Sequence, residues 1–285
     1  MPAVPTCIRN FSSTGRTEAQ LANHYLVEKS LADQIRASTR EERMALFPVL
    51  YDELFKRVPD HPRLTRRVSE EEGARTVAAR MSILKDFLKP ETVFMEIAPG
   101  DCQLAAKVAQ RVRKVYAADI SDQRAPGMEV PANFEMVVFD GLNLDVAPGS
   151  VDVAFSYQFL EHLHPDDVAP HFELVARALK PGGVYVLDTP HSFSGPHDIS
   201  RYFSNVAEGF HMHEWTYREI DELGRRHGFD RTSVFRFGRC WDTPLALMAT
   251  LIAESVLGVL PAAARWKLSQ RLFLGVTACL RRAAS

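Results

Sequence analysis

Residues 92–102 read TVFMEIAPGDC, and QLAAKVAQRV follows directly. An apolar, β-prone run closing on Glu96 and Ile97 gives way to a turn containing Gly100, then to a helical pattern that starts near Gln103. That order predicts a buried strand feeding a helix N-terminus. Ligands of open α/β sheets bind at such junctions. Glycine lets the backbone pass close to a ligand, the acid sits at the strand's carboxyl end, and the helix points unpaired N–H groups at the same space.

Working outward, 115–119 (VYAAD), 135–140 (EMVVFD), 151–156 (VDVAFS) and 184–188 (VYVLD) are further short apolar runs, the last preceded by the helix stop and turn LKPGG. Asp119 comes roughly twenty residues after the first strand, the spacing at which a βαβ unit sets a carboxylate on a ribose hydroxyl. With FLEHLHPDD at 159–167 and ALKPGG at 178–183, the chain resembles the class I S-adenosylmethionine-dependent methyltransferases, in the branch with LEHL after the fourth strand. The resemblance spans residues 71–237. It implies a Rossmann-like α/β fold, a mostly parallel seven-stranded sheet with helices on both faces, and S-adenosylmethionine as cofactor.

By that resemblance Glu96, Ala98 and Gly100 line the methionine and ribose side of the cofactor, and Asp119 accepts from the ribose hydroxyls. Ile120 packs on the adenine, Asp140 with Gly141 behind it bonds the exocyclic amine, and Ser156 and Tyr157 lie near the reacting centre. The alternative for both aspartates is a solvated turn acid. The family's turn carries three glycines, and Ala98 and Cys102 stand at the outer two positions here. Both are small, so the turn reads as a tolerated variant; a fold that no longer catalyses is the alternative.

With 285 residues, 46% hydrophobic and 25% charged, the chain is long enough for a full α/β core. A net charge of -2 with dispersed basic residues excludes a nucleic-acid partner. Cys7, Cys102, Cys240 and Cys279 are far apart in sequence and form no C-x-x-C pair, so neither a disulfide framework nor a zinc site is expected. The opening MPAVPTCIRNF lacks an apolar core behind basic residues, and a cytoplasmic location is expected.

Three parts are expected. Residues 1–68 form a helical N-terminal cap, with helices over 18–37 and from a Ser38/Glu41 capping box onward, kinked near Pro48. Residues 69–243 form the core, opened by a Ser69/Glu72 capping box and a helix whose stripe is Ala74, Val77, Ala78, Met81, Leu84 and Leu88. Residues 244–285 form an apolar helix over 245–259, a basic segment with Arg265, Trp266 and Lys267, and a last strand over 272–280, a terminal helix being the alternative. The insert 244–271 suits peripheral contact with the inner membrane, or a packing or homodimer face. Tyr25 is the expected lid residue of the cap.

Methyl transfer from a sulfonium is an in-line displacement, and an alcohol acceptor must also lose a proton. The long segment 189–215 reads as a functional loop or lid. His191, directly after the fifth strand, is the first candidate for the general base, and His197, beside Asp198, the second. In ubiquinone-type O-methyltransferases the LEHL stretch carries two glutamates and a histidine for a divalent metal. Here Gln158 stands at the first of those positions, so Glu161 and His162 are read as capping the loop and no metal is expected. His164 before Pro165 reads as a helix start. His211 and His213 read as structural or as lying on the cofactor side, and the four histidines of the segment match no metal spacing. SGPHDISRYF and YDELFKRVPDHP are similar to bacterial methyltransferases associated with surface polysaccharide, which favours O-methylation of a sugar hydroxyl. A quinone or other lipid-like acceptor, and a catalytically silent scaffold, are the rivals.

Overall fold

The computed structural model describes residues 4–65, 70–124 and 127–284. Its sheet strands are β1 Val93–Ile97, β2 Lys114–Asp119, β3 Phe134–Val138, β4 Val151–Tyr157, β5 Leu179–Pro190, β6 Phe229–Arg236, β7 Arg239–Trp241 and β8 Gly275–Arg282. They lie in the order β3-β2-β1-β4-β5-β8-β6-β7. The first five pair in parallel, whereas β8 is antiparallel to β5 and β6, and β7 to β6. The sheet of the described residues is therefore mixed and eight-stranded rather than seven-stranded. The extra strand is a hairpin through Phe237 and Gly238, both at positive φ, with Phe237 in solvent. A phenylalanine in the left-handed region gives no turn signal in sequence, which is why β7 escapes prediction.

Strand order reverses between β1 and β4, so the crevice beyond their carboxyl ends is the ligand-binding position of this topology. Alternation along β1 sends Val93, Met95 and Ile97 into one core and Phe94 into the core on the other face. Glu96, on the Phe94 face, is buried as well. LKPGG lies inside β5 as an irregularity opposite Val151 and Val153, with Gly182 at positive φ.

Helices α1 (Glu18–Ala37), α2 (Arg40–Arg57) and α3 (Pro62–Thr65) make the N-terminal cap; α4 (Glu70–Leu84) leads into β1. The capping box of α2 is Thr39 with Glu42, one residue later than predicted, because the Thr39 hydroxyl accepts from Glu42 N. Helical backbone continues through Pro48. The Ser69/Glu72 box lies outside the described residues. On α4, Met81 and Leu84 are buried but Ala74 and Ala78 are exposed. The cap is fastened by Arg43, whose buried guanidinium donates twice to Asp167 at the start of α6 (Pro165–Ala178).

Helices α5 (Gln103–Ala109) and α7 (Tyr217–Arg226) flank the sheet, and α8 (Pro244–Gly258) and α9 (Ala262–Leu272) precede the last strand. The basic segment around Trp266 is thus helical, and β8 ends the chain as expected. Leu245, Met248, Ile252 and Val256 form an exposed stripe on α8. Among the described residues no helix is long and apolar enough to cross a membrane. All four cysteines are free.

Candidate active site

The crevice is built from the ends of β1, β2 and β4. Ala98, Gly100 and Cys102 all adopt positive φ, at 52°, 56° and 59°. The two non-glycines hold the left-handed backbone that glycine takes freely, at a cost of order 1 kcal/mol each. A Cβ on Gly100 would meet no atom within 4 Å, so open space lies beside it. Glu96 Oε2 is buried with no hydrogen-bond partner. Burial raises its carboxyl to about 8, against the opposing pull of Arg80. Arg80, from α4, lies over the Tyr157 ring at 4.3 Å, and its own buried Nε lacks a partner. An unpaired acceptor and an unpaired donor thus flank one crevice, an arrangement that suits a ligand with ammonium or hydroxyl donors and a carboxylate.

Asp119 ends β2 with its Oδ1 accepting from Ile120 N at 2.7 Å, and burial raises its pKa. Ile120 is exposed beside it. Asp140 is committed to its own turn: Oδ1 accepts from Leu142 N and Asn143 N, and Oδ2 from Asn143 Nδ2. These bonds lower its pKa, and Gly141 at positive φ completes the turn. Ser156 points the other way, into the core, where its hydroxyl meets Tyr185 Oη at 2.7 Å and Tyr185 meets His171. The Tyr157 side chain, on the Glu96 face, is the member of that pair that borders the crevice.

A cavity of about 760 Å³ opens between the cap and the segment 189–215. Its walls are mixed: His24, Glu28, His162, His197 and His211 stand with Tyr51 and Phe210, and Leu21, Leu54 and Ile199 add aliphatic patches. Glu28 Oε1 accepts from Phe210 N, and Arg36 donates to the Glu208 and Gly209 carbonyls, so α1 holds the segment shut. Between crevice and cavity stands Glu161, wholly buried, its Oε2 accepting from Thr189 Oγ1 and its Oε1 unpartnered. Burial raises its carboxyl to about 7. Its charge is felt by Tyr157 on one side, and it feels that of His211 on the other.

The histidines separate by environment. His191 is fully buried; its Nδ1 accepts from Phe193 N and its Nε2–H donates to Glu254 at 2.8 Å. With both nitrogens engaged and no place in the wall of the cavity, its surroundings suit a structural role better than that of a base. His197 lines the cavity with Nε2 on Ser194 Oγ, and burial lowers its pKa. Its Asp198 neighbour bonds Ser200 N and Gly209 N instead, so no His-Asp pair forms. His164 caps α6 by accepting from Asp166 N. Exposed His213 meets Glu219. Tyr25 donates to Glu208 and stacks on Phe203, anchoring the segment without lining the cavity.

Residues 95–187 match the family model of the methyltransferase domain. Over these residues the chain carries a methyltransferase domain. No curated protein sequence matches it. Among solved structures it is similar to a methyltransferase in complex with the Haloferax volcanii Trm112 activator, at 16% identity and TM-score 0.52 over 74% of this chain and 92% of that one. The Burkholderia thailandensis 1,6-didemethyltoxoflavin-N1-methyltransferase, with S-adenosylhomocysteine bound, matches at 15% identity and TM-score 0.53 over 86% of this chain and 91% of that one. Haemonchus contortus phosphoethanolamine N-methyltransferase 1 matches at 15% identity and TM-score 0.54 over 87% and 50%. At these identities the likeness is one of fold. The methyltransferase crevice also has a wall that the apolar reading of α4 passes over: Arg80 occupies a partly buried position between the stripe residues Val77 and Met81.

Proposed function

We propose that the protein transfers the methyl group of S-adenosylmethionine to a hydroxyl of a small polar acceptor, a sugar of a bacterial glycan or glycoconjugate. The observation that carries this reading is the character of the cavity wall. Hydrogen-bonding side chains interleaved with Tyr51 and Phe210 suit a polyol with apolar C–H faces, whereas a quinone or lipid-like acceptor calls for predominantly aliphatic walls. The bound cofactor supplies an electrophilic methyl carbon on sulfur. Glu96 and Asp119 would hold its ammonium and ribose hydroxyls, and Arg80 its carboxylate. Retention of the left-handed backbone at Ala98 and Cys102, at a cost in strain, argues against a silent scaffold. His197, neutral near pH 7 and with Nδ1 available, takes the acceptor proton.

Two results test this. In calorimetry, Asp119→Ala is expected to weaken S-adenosylhomocysteine binding by about 100-fold, as lost charge-assisted bonds to two hydroxyls require. With labelled S-adenosylmethionine, label should pass to free sugars, methyl glycosides or nucleotide sugars and not to quinols, and His197→Gln should lower turnover by about 100-fold while the protein stays folded. Transfer to quinols alone sinks the sugar reading. Absence of cofactor binding in folded wild-type protein sinks the enzyme reading itself.

A further inference from the structure

We infer that Glu161, His162 and His211 form a binding site for a divalent transition-metal ion of the zinc type at the junction of crevice and cavity. The set unites the turn after β4 with a residue of the segment 189–215, 49 positions away in sequence. Their ligand atoms lie within 4.8 Å of one another, and His162 Nε2 is 4.0 Å from Glu161 Oε1. Ligand atoms of a tetrahedral zinc site are about 3.4 Å apart, so closure by roughly an ångström completes it.

The bonds around the three residues aim their lone pairs inward. His162 Nδ1 lies 3.0 Å from the Phe210 carbonyl, which can only accept, so Nδ1 carries the proton and Nε2 the lone pair. His211 Nδ1 donates to Glu214 Oε1 at 2.8 Å and likewise leaves Nε2 free. A metal-bound histidine has this outer partner, a carbonyl or carboxylate fixing the tautomer. Glu161 Oε2 is held by Thr189, while its fully buried Oε1 has no partner at all. Met212 N and His213 N both donate to the Glu161 carbonyl, so the two stretches are zipped together before any ion arrives.

A second grouping in the cavity, His24, Glu28 and His61, fails the same test. Arg16 can only donate, so His24 Nδ1 accepts and its Nε2–H goes to Glu28; His61 Nδ1 accepts from Arg63 N. Those rings have their lone pairs already in use. Two imidazoles and one carboxylate leave coordination positions open, and His162 and His211 also line the cavity, so a water or an acceptor hydroxyl completes the shell. Only that last role rests on the proposed reaction; the ion site does not.

The test uses untagged full-length protein, dialysed against chelator and titrated with Zn²⁺ in the absence of cofactor and acceptor. One Zn²⁺ per chain is expected, with a rise in melting temperature and, on substitution by Co²⁺, visible absorption of a low-coordinate site. Glu161→Gln and His162→Gln should each weaken binding at least about 100-fold, whereas His213→Gln should not change it. His162 is partly exposed, so its variant is expected to fold even if Glu161→Gln does not. No stoichiometric ion in wild-type protein overturns the inference. So does binding that survives in His162→Gln or disappears in His61→Gln.

Discussion

Raising the pH from 5 to 9 is expected to cost the cofactor-free protein roughly 4 kcal/mol of stability through Glu96 alone. Burial holds this carboxyl at about 8 in the folded state against an ordinary 4.5. The folded pKa is the higher one, so the native state keeps a proton that the unfolded chain releases. The contribution is fully present below pH 4.5 and is lost as the pH rises through about 8. Glu96→Gln cannot ionise at this position, so its urea-denaturation midpoint should fall less steeply over this range than that of the wild type, the remaining slope coming from other buried carboxyls such as Glu161, and should exceed the wild-type value at pH 9. Saturating S-adenosylhomocysteine should flatten the wild-type profile as well, because donors from the ligand reach the orphaned Oε2 and stabilise the ionised form. The same substitution should weaken that ligand by about 10- to 100-fold, the worth of a charge-assisted hydrogen bond. Parallel pH profiles for the two proteins would show that Glu96 is not held protonated. The strand thus accepts a destabilising acid where the chemistry needs one.

The parallel half of the sheet was legible because each of its strands is an apolar run that stops at a turn, and the order of those runs leaves few topologies open. Asp119 was legible for the same reason, its position following from the length of one βαβ unit. Asp140 illustrates the limit: the FDG stretch gives its place in the chain but not that its oxygens turn back onto Leu142 and Asn143. Ser156 shows a second limit, since the one-residue step between Ser156 and Tyr157 decides which face of the sheet each serves. The cavity was less legible still. Its walls come from α1, α2, α3, the turn after β4 and the segment 189–215, and no local pattern states that these will meet. Nor does the stretch holding Glu161 and His162, read alone, state that His211 arrives beside them from the segment 189–215.

His191→Ala is expected to destabilise the protein by about 3 kcal/mol and to leave turnover per folded molecule unchanged. Glu254 collects three donors: His191 Nε2 at 2.8 Å, Tyr217 N at 2.6 Å and Arg218 N at 3.1 Å. It therefore ties the end of β5 and the start of α7 to α8, with His191 packed between Phe273 and Tyr217. Removing the imidazole opens a cavity and strips a buried carboxylate of one donor; removing the carboxylate leaves three donors unpaired. Glu254→Ala should cost at least as much, and the double variant less than the sum, since both break one network. Urea denaturation of the three proteins gives these terms, and initial rates normalised to folded protein give the other half. A fully stable His191→Ala that had lost turnover would return His191 to the role of base. At the end of the fifth strand α8 covers His191 through Glu254. The sign of that cover in the sequence was a single acid in an otherwise apolar helix. A carboxylate there is either exposed or has a buried partner waiting for it, and Glu254 is only 3% exposed.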